Sequence, residues 1–92
     1  MRDLVEAHVV RGLVTAFLQS PKFRRGTCST WADVAPKLQA AFNALPELQP
    51  GFVDFHDATR ALLQYECHKL SAHCNSWTPW MQHQLRAAKV RG

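Results

Sequence analysis

The sequence has no long apolar run, and its first residues lead us to expect no secretory signal. A helix that spans a bilayer needs about 18–20 consecutive apolar residues, and no stretch of the 92-residue chain approaches that length. The first residues include an early acid, Asp3, and lack the apolar core of a signal peptide. We therefore expect a protein that is not transmembrane and is not secreted by this route; an internally addressed or already processed chain is the alternative.

Motifs for enzymatic chemistry are missing as well. The four glycines do not form a glycine-rich phosphate loop. The chain also has no His-Glu-x-x-His sequence and no serine elbow. So short a chain leaves little room for a substrate pocket. We predict a protein that is not an enzyme and that carries no cofactor.

The cysteines are few and odd in number, so at most one disulfide forms among the three of them. Cys67 and Cys74 lie on one predicted helix at a separation of about 10.5 Å. A disulfide requires Cα atoms within about 7 Å, so these two do not pair with each other. Either one pairs with Cys28 if the fold brings them together, and Cys28 and Cys74 are the candidate disulfide. The alternative is that the cysteines are small apolar core residues.

Two histidines flank these cysteines and raise the question of a zinc site. The four residues point to at least two faces of one predicted helix and cannot converge: Cys67, His68, His73 and Cys74. Structural zinc sites usually take four ligands that converge on the ion. The spacing therefore predicts no metal site.

Apolar residues, by contrast, are plentiful. Hydrophobic residues make up 47% of the chain, as in ordinary globular domains. A domain of this length buries only about 60–65% of its unfolded surface, so a partner chain would add stability. We predict a single small domain over residues 1–92.

The apolar residues recur every three or four positions, which is the spacing of a helix. Asp3, Thr30 and Thr78 are suitable N-caps, and the residues from Pro46 to Gly51 predict a turn. The pattern favours an all-α protein, either a small helical hairpin or a three-to-four-helix domain. The expected helices cover residues of about 3–19, 31–45, 52–74 and 79–90.

Positive charge is concentrated at the two ends of the chain, whose formal net charge is +4. Lys22, Arg24 and Arg25 form a basic loop around Phe23, which suits contact with an anion such as a nucleic-acid phosphate. A solvated turn with Phe23 buried is the alternative. Basic ends around an acidic middle suit docking to an acidic protein, an anionic lipid surface or nucleic acid.

Three tryptophans are a large aromatic content for so small a domain. Such residues dominate both protein cores and binding hot spots. We expect one of the two tryptophans around Pro79 to be an exposed anchor for a partner; the alternative is that both cover the end of a helical hairpin. The predicted partner-binding residues are Trp77, Trp80, Arg86, Lys89 and Arg91.

One series of residues in the second half of the chain forms a family-like pattern: Val53, Asp54, Phe55, His56, Tyr65, Leu70, Cys74, Trp77, Trp80 and Gln84. The series resembles the coiled-coil-helix-coiled-coil-helix group, and within it subunit VIb of cytochrome c oxidase. The family's paired cysteines would fall near Leu48, Ala58, Leu63 and Cys74, of which only the last is a cysteine. The resemblance implies an accessory subunit without catalytic residues, on the intermembrane-space side of a mitochondrial respiratory complex.

Two functional hypotheses follow. The first is a non-catalytic accessory or interaction subunit of a larger assembly, in the mitochondrial intermembrane space if the resemblance holds and otherwise intracellular and soluble. The alternative is a small basic protein that binds nucleic acid or an effector, such as a phage-encoded inhibitor. Binding to nucleic acid that weakens steeply with salt would favour the second hypothesis. The basic residues it requires are Lys22, Arg24, Arg25, Arg86, Lys89 and Arg91.

Overall fold

The structure, a computed structural model, describes residues 2–20, 30–65 and 77–91. These ranges contain both helices and strands. In chain order they are β1 (Asp3–Glu6), α1 (Ala7–Arg11), α2 (Leu13–Gln19), α3 (Thr30–Asn43), β2 (Glu47–Gln49), β3 (Phe52–Asp54), α4 (Phe55–Leu63), α5 (Trp77–Ala88) and β4 (Val90–Arg91).

An antiparallel sheet shows that the all-α prediction, whether hairpin or helical bundle, was wrong. Its four strands lie in the order β2-β3-β1-β4. Val5 pairs with Val53 across β1 and β3, and Leu4 pairs with Val90 across β1 and β4. The strands contain only two to four residues each, too few for an alternating apolar pattern to be recognised. The protein is therefore a small mixed α/β domain.

The first predicted helix, residues 3–19, is three elements instead of one. Asp3 begins a strand and does not cap a helix, and helix α1 starts only at Ala7. Gly12 then separates α1 from α2. A Cβ atom at Gly12 would lie 3.1 Å from the carbonyl oxygen of His8, so a larger residue would be crowded where the two helices meet.

The third predicted helix, residues 52–74, begins later than expected. Phe52 and its two successors form β3, and α4 begins at Phe55. The boundary is set by Asp54, whose Oδ2 accepts a hydrogen bond of 3.0 Å from the Asp57 N–H. This is the usual N-cap interaction, which satisfies one of the free N–H groups of the first turn. Residues 66–74 of the prediction lie outside the described residues.

The remaining predicted segments differ at their ends. Helix α3 corresponds to the predicted helix 31–45 and continues through Pro36. Helix α5 starts before the predicted position 79 and ends at Ala88, since Val90 belongs to β4. The predicted turn of residues 46–51 contains strand β2, so the turn itself is confined to Pro50 and Gly51.

The helices pack against the sheet and form the main core with it. Large apolar side chains from every described helix are buried there, each contributing about 1.5–3 kcal/mol of transfer free energy when fully buried. Val5 and Val53 are the residues through which the sheet joins this cluster. The largest fully buried side chains are Phe17, Phe42, Leu38, Leu62, Met81, Leu85, Val5, Val10 and Val53.

One buried polar atom in α5 has no partner within the part of the chain that the structure describes. The hydroxyl of Thr78 is buried and accepts or donates no hydrogen bond there. A buried unsatisfied polar group costs about 1–3 kcal/mol. We expect Thr78→Val, which keeps the shape of the side chain, to raise the free energy of unfolding by about 1 kcal/mol. Denaturant unfolding followed by circular dichroism measures this change.

The same substitution at an exposed threonine is the control. Thr15 is exposed on α2, so Thr15→Val is expected to leave the free energy of unfolding nearly unchanged. A clear loss of stability in Thr78→Val would show that the hydroxyl is hydrogen-bonded after all.

Candidate interaction surface

The sheet has a second face, directed away from the main core. Successive residues of a strand point to opposite faces, and Val5 belongs to the core, so Leu4 points away from it. Leu4 is only 3% exposed yet lies outside the core cluster. Directly paired residues share a face, which places Val90 and the buried Asp54 beside Leu4, and Phe52 beside Glu6.

A shallow cavity of about 220 Å³ marks the same face on the side of β2. It is lined by Arg2, Leu4, Leu48 and Gln49. Leu48 is the extra residue of a β-bulge, because Glu47 pairs with Val53 while Gln49 already pairs with Phe52. The surface formed by these residues is called the outer sheet face, and its members are Arg2, Leu4, Glu6, Leu48, Phe52, Asp54 and Val90.

The outer sheet face is buried at its centre, at Leu4 and Asp54, and has exposed aliphatic side chains at its periphery. Leu48 is 41% exposed and Val90 is 44% exposed. They are two of the four large hydrophobic residues that are exposed within the described ranges, the others being Leu18 and Leu63. These two exposed aliphatic side chains lie on the two edge strands, on either side of the buried Leu4. Exposed apolar groups on one face are candidates for a contact surface.

Charged residues lie at two ends of this face. Arg2 is exposed and forms no ion pair with any residue that the structure describes. Glu6, at the other end of β1, lies 3.2 Å from His8 Nδ1 through its Oε2. That contact is an ion pair only when the histidine is protonated. Along this direction the outer sheet face therefore carries a positive charge at Arg2, an apolar side chain at Leu4 and a carboxylate at Glu6.

The edges of the sheet are poorly suited to pairing with another strand. Strand β2 has three residues between Pro46 and Pro50 and contains the bulge at Leu48. Strand β4, at the other edge, has two residues. Prolines, bulges and very short strands are devices that prevent edge pairing. Contact with another chain is thus favoured at the outer sheet face and not at its edges.

Glu47 holds β2 and the adjoining turn in place. Its Oε1 accepts a 2.6 Å hydrogen bond from the Gly51 N–H, and its Oε2 accepts one of 3.2 Å from Arg11 Nη2. The Gly51 carbonyl in turn accepts a 2.8 Å bond from the Ala7 N–H. Gly51 has a φ of +85°, which favours glycine. The Gly51 N–H, and next the Arg11 guanidinium, lower the pKa of Glu47 below its usual value.

A second cavity lies between α3 and α4 and has a volume of about 310 Å³. The small side chains of three alanines leave this space open. Its lining also contains an ion pair, in which Arg60 Nη1 lies 3.3 Å from Asp57 Oδ1. Because both ionisable residues of its lining are used in this pair, the cavity presents no free base or nucleophile. The lining consists of Ala41, Ala44, Leu45, Pro46, Asp57, Arg60, Ala61 and Gln64.

The residues predicted to bind a partner are not gathered at one place by the described structure. Trp80 is half-buried, with its ring centroid 5.6 Å from that of Phe17 in an edge-to-face contact. Arg86 is exposed in the last turn of α5. Lys89 Nζ lies 3.8 Å from Asp3 Oδ2 and 5.0 Å from the centroid of the Phe55 ring, so it joins the end of α5 to β1 and α4.

The other predicted residues lie wholly or partly outside the described residues. Trp77 and Arg91 are described only in their backbone, as the first residue of α5 and the last of β4. The basic loop and the candidate disulfide are not described: Lys22, Arg24, Arg25, Cys28 and Cys74. Their predicted roles stay predictions. Within the described ranges, no three His, Cys, Asp or Glu residues are grouped so that they could hold a metal ion.

Sequence reasoning missed the residues of the outer sheet face. Leu4 was read as part of a helix and Leu48 as part of a turn, and Val90 was placed at the end of the last helix. One signal for strand β2 was present, because Pro46 and Pro50 bound a segment of three residues that can be extended. The pairing of β4 with β1 has no local signal.

No protein-family model, no curated protein and no solved structure matches the chain. Among the described residues, no helix is both long and apolar enough to cross a membrane.

The contact between Trp80 and Phe17 leads to a prediction for Trp80→Ala. The substitution removes an aromatic pair and part of the packing against the core, so we expect the free energy of unfolding to fall by about 2–3 kcal/mol. Thermal or denaturant unfolding measures the loss. Trp80→Phe keeps a ring in place and is expected to lose less than half as much. Unchanged stability together with lost partner binding would instead favour the predicted anchor role.

The lowered pKa of Glu47 leads to a pH-dependent prediction. A carboxylate whose pKa is lower in the folded state stabilises the fold above its ordinary pKa of about 4.3, and this contribution is lost as the pH falls through the lower folded value. We expect Glu47→Gln to be less stable than the wild type at neutral pH. The difference in the free energy of unfolding between the two proteins should shrink as the pH falls through the lowered pKa of Glu47. Urea unfolding at a series of pH values measures it, and a difference that does not vary with pH would contradict the prediction.

Proposed function

We propose that this protein is a non-catalytic interaction protein that binds another protein chain through the outer sheet face. The observation that carries the proposal is the exposure of Leu48 and Val90 around Leu4, on the face opposite the core. Burial of a large aliphatic side chain gains about 1.5–3 kcal/mol. Leu48 and Val90 are already more than half buried, so each gains only a fraction of this free energy when a partner covers it.

The ionisable residues near the sheet support a binding role over a catalytic one. Asp54 caps α4, Glu47 holds the β2–β3 turn, and Asp3 contacts Lys89. Each of these carboxylates is committed to a structural contact. General acid–base chemistry requires a group within hydrogen-bond reach of a substrate proton, and Asp54, the carboxylate beside Leu4 on the outer sheet face, already accepts the Asp57 N–H.

Membership of a respiratory complex is the finer form of this proposal. It is supported by the resemblance of the segment Val53–Gln84 to the coiled-coil-helix-coiled-coil-helix group. An accessory subunit of that kind would contribute binding surface and no catalytic residue. The mitochondrial intermembrane space is proposed on the same basis.

The nucleic-acid hypothesis receives less support from the described part of the chain. Arg11, Arg60 and Lys89 each lie within 4.0 Å of an acid. Bases that are paired with acids contribute little to the release of counterions that drives binding to nucleic acid. The basic loop on which that hypothesis mainly depends lies outside the described residues.

Charged substitutions at the exposed leucines test the proposed function. We expect Leu48→Glu to abolish recovery of the partner when the tagged protein is purified from cells of its source and the co-purifying chains are quantified by mass spectrometry. The reason is that a buried, unpaired carboxylate would be created in the contact. Val90→Glu should act in the same way.

Leu18→Glu is the matched control, since Leu18 is 45% exposed but lies on α2. It introduces the same charge at a leucine of similar exposure and is expected to leave partner recovery unchanged. Circular dichroism and thermal unfolding verify that all three variants are folded. Equal recovery by the Leu48 and Leu18 variants would refute binding through the outer sheet face.

A further inference from the structure

We infer that the cavity lined by Arg2, Leu4, Leu48 and Gln49 receives one apolar side chain from an acidic segment of a partner protein, and that Arg2 binds a carboxylate next to that side chain. This space is called the β2 cavity. The inference rests on the proposed function, because it names the chemistry that a partner of the outer sheet face presents. It is carried by the size of the cavity, by its lining and by the charge of Arg2.

The β2 cavity has room for about one large side chain. Its volume is about 220 Å³, whereas sites for small organic ligands usually measure about 300–1,000 Å³. A pocket for an anchor residue of a protein partner can be smaller, because most of the partner lies outside it. Such anchors supply much of the binding energy of protein interfaces. The volume therefore favours a single anchor side chain over a free small molecule.

The lining of the β2 cavity combines an apolar interior with polar groups. Leu4 is only 3% exposed and forms the inner wall, whereas Leu48 is 41% exposed and lies at the opening. The polar groups are the Arg2 guanidinium and the Gln49 amide, both on exposed residues. An anchor side chain fills space that already exists at the periphery of the outer sheet face, so the buried centre of that face does not have to open.

The position of Leu48 at the opening is set by the β-bulge. Leu48 is the residue of β2 that has no partner across β3, and bulges often direct a side chain beside a functional site. The adjoining Glu47 accepts hydrogen bonds of 2.6 Å from the Gly51 N–H and 3.2 Å from Arg11 Nη2. The opening is therefore held in place before a partner binds, which reduces the entropy lost on binding.

Arg2 supplies a charge that the described part of the chain does not neutralise. It is exposed and forms no ion pair with any residue that the structure describes. Arg11, Arg60 and Lys89, by contrast, each lie within 4.0 Å of a carboxylate oxygen. Arginine binds carboxylates well, because its planar guanidinium can donate two parallel hydrogen bonds. A free guanidinium beside an apolar cavity therefore selects an acid next to an apolar side chain.

The surroundings of Arg2 favour a carboxylate over a polyanion. Among the described residues that line the cavity, Arg2 is the one base, and the next residue in the chain, Asp3, is an acid. Binding to nucleic acid depends on several bases that each neutralise a phosphate. A lone guanidinium next to apolar walls is suited instead to one carboxylate of a protein segment.

Peptide selection tests the inference. Short random peptides displayed on phage are selected against the purified full chain. We expect the enriched sequences to contain a large apolar residue next to an aspartate or a glutamate. Selection against Arg2→Glu should enrich a lysine or an arginine beside the apolar residue instead. Such a reversal shows that Arg2 contacts the peptide, because a variant that failed to fold would enrich no defined sequence.

A titration then measures the contribution of each group. The most enriched peptide and an analogue with the acid replaced by its amide are labelled and titrated with the full chain by fluorescence anisotropy. We expect the wild type to bind the acidic peptide about three- to tenfold more tightly than the amide. Arg2→Gln should bind the two peptides equally. Leu48→Ala should weaken the binding of both about fivefold and leave their ratio unchanged.

Arg86→Gln and Leu18→Ala are the matched controls, and both are expected to bind the peptides as the wild type does. Arg86 is exposed on α5, and Leu18 is 45% exposed on α2. Circular dichroism and thermal unfolding verify that the variants are folded.

Three results of these experiments would overturn the inference. The first is a selection that enriches no peptide or enriches peptides without an acid. The second is an Arg2→Gln variant that keeps the preference for the acidic peptide. The third is a single-stranded oligonucleotide that binds the wild type and not Arg2→Gln, because Arg2 would then serve nucleic acid.

The outcomes separate the inference from the proposed function. Loss of the cellular partner in Leu48→Glu, together with an unchanged peptide preference in Arg2→Gln, disproves the acidic segment and leaves the interaction function standing. Equal recovery of the partner by Leu48→Glu and Leu18→Glu, with no peptide enriched, disproves both. An acidic consensus that depends on Arg2 and Leu48 supports both.

Discussion

The pairing of β1 with β3 is the interaction on which the rest of the structure depends. It brings Val5 and Val53 side by side beneath the helices, where both are almost fully buried. Because β1 also pairs with β4, the same strand joins the beginning, the middle and the end of the described chain. Bringing segments that are distant in the sequence together costs chain entropy. The burial of apolar side chains that these contacts allow offsets that cost.

A polar network fixes the helices to this sheet. Gln39 Nε2 donates a 2.9 Å hydrogen bond to the carbonyl oxygen of Arg11, at the end of α1. The side chain of Arg11 donates to Glu47 at the start of β2. One residue thus links α3, α1 and the β2–β3 hairpin. Satisfying a terminal carbonyl of α1 matters because the helix ends there and continues only after Gly12.

The outer sheet face is buried at its centre and exposed at its periphery. Leu4 and Asp54 are almost fully buried there, while Leu48 and Val90 on the edge strands are exposed. A sheet with one covered and one open face normally has polar residues on the open side. Here Leu48 and Val90 are exposed instead, with a cation at one end of β1 and an acid at the other. This departure from the usual pattern is why the face is interpreted as a contact surface.

The sequence located helices where a local pattern of residues extends over several helical turns. The spacing of apolar residues located α3, and the proline at position 79 located the first turn of α5, because both signals depend only on neighbouring residues. The acid at Asp54 was expected inside a helix. It is the cap that begins α4, since the three residues before Phe55 are drawn into the sheet.

The sequence by itself determined the apolar content needed for a small domain, the helical periodicity and the excess of positive charge. Only the tertiary structure decided that Leu4 and Val90 meet and that Leu48 lies on the same face. The physical reason is that the strands have two to four residues. Each is too short to show its period, and each exists only through hydrogen bonds to residues far away in the chain. The surface that we propose for binding is built entirely from such contacts.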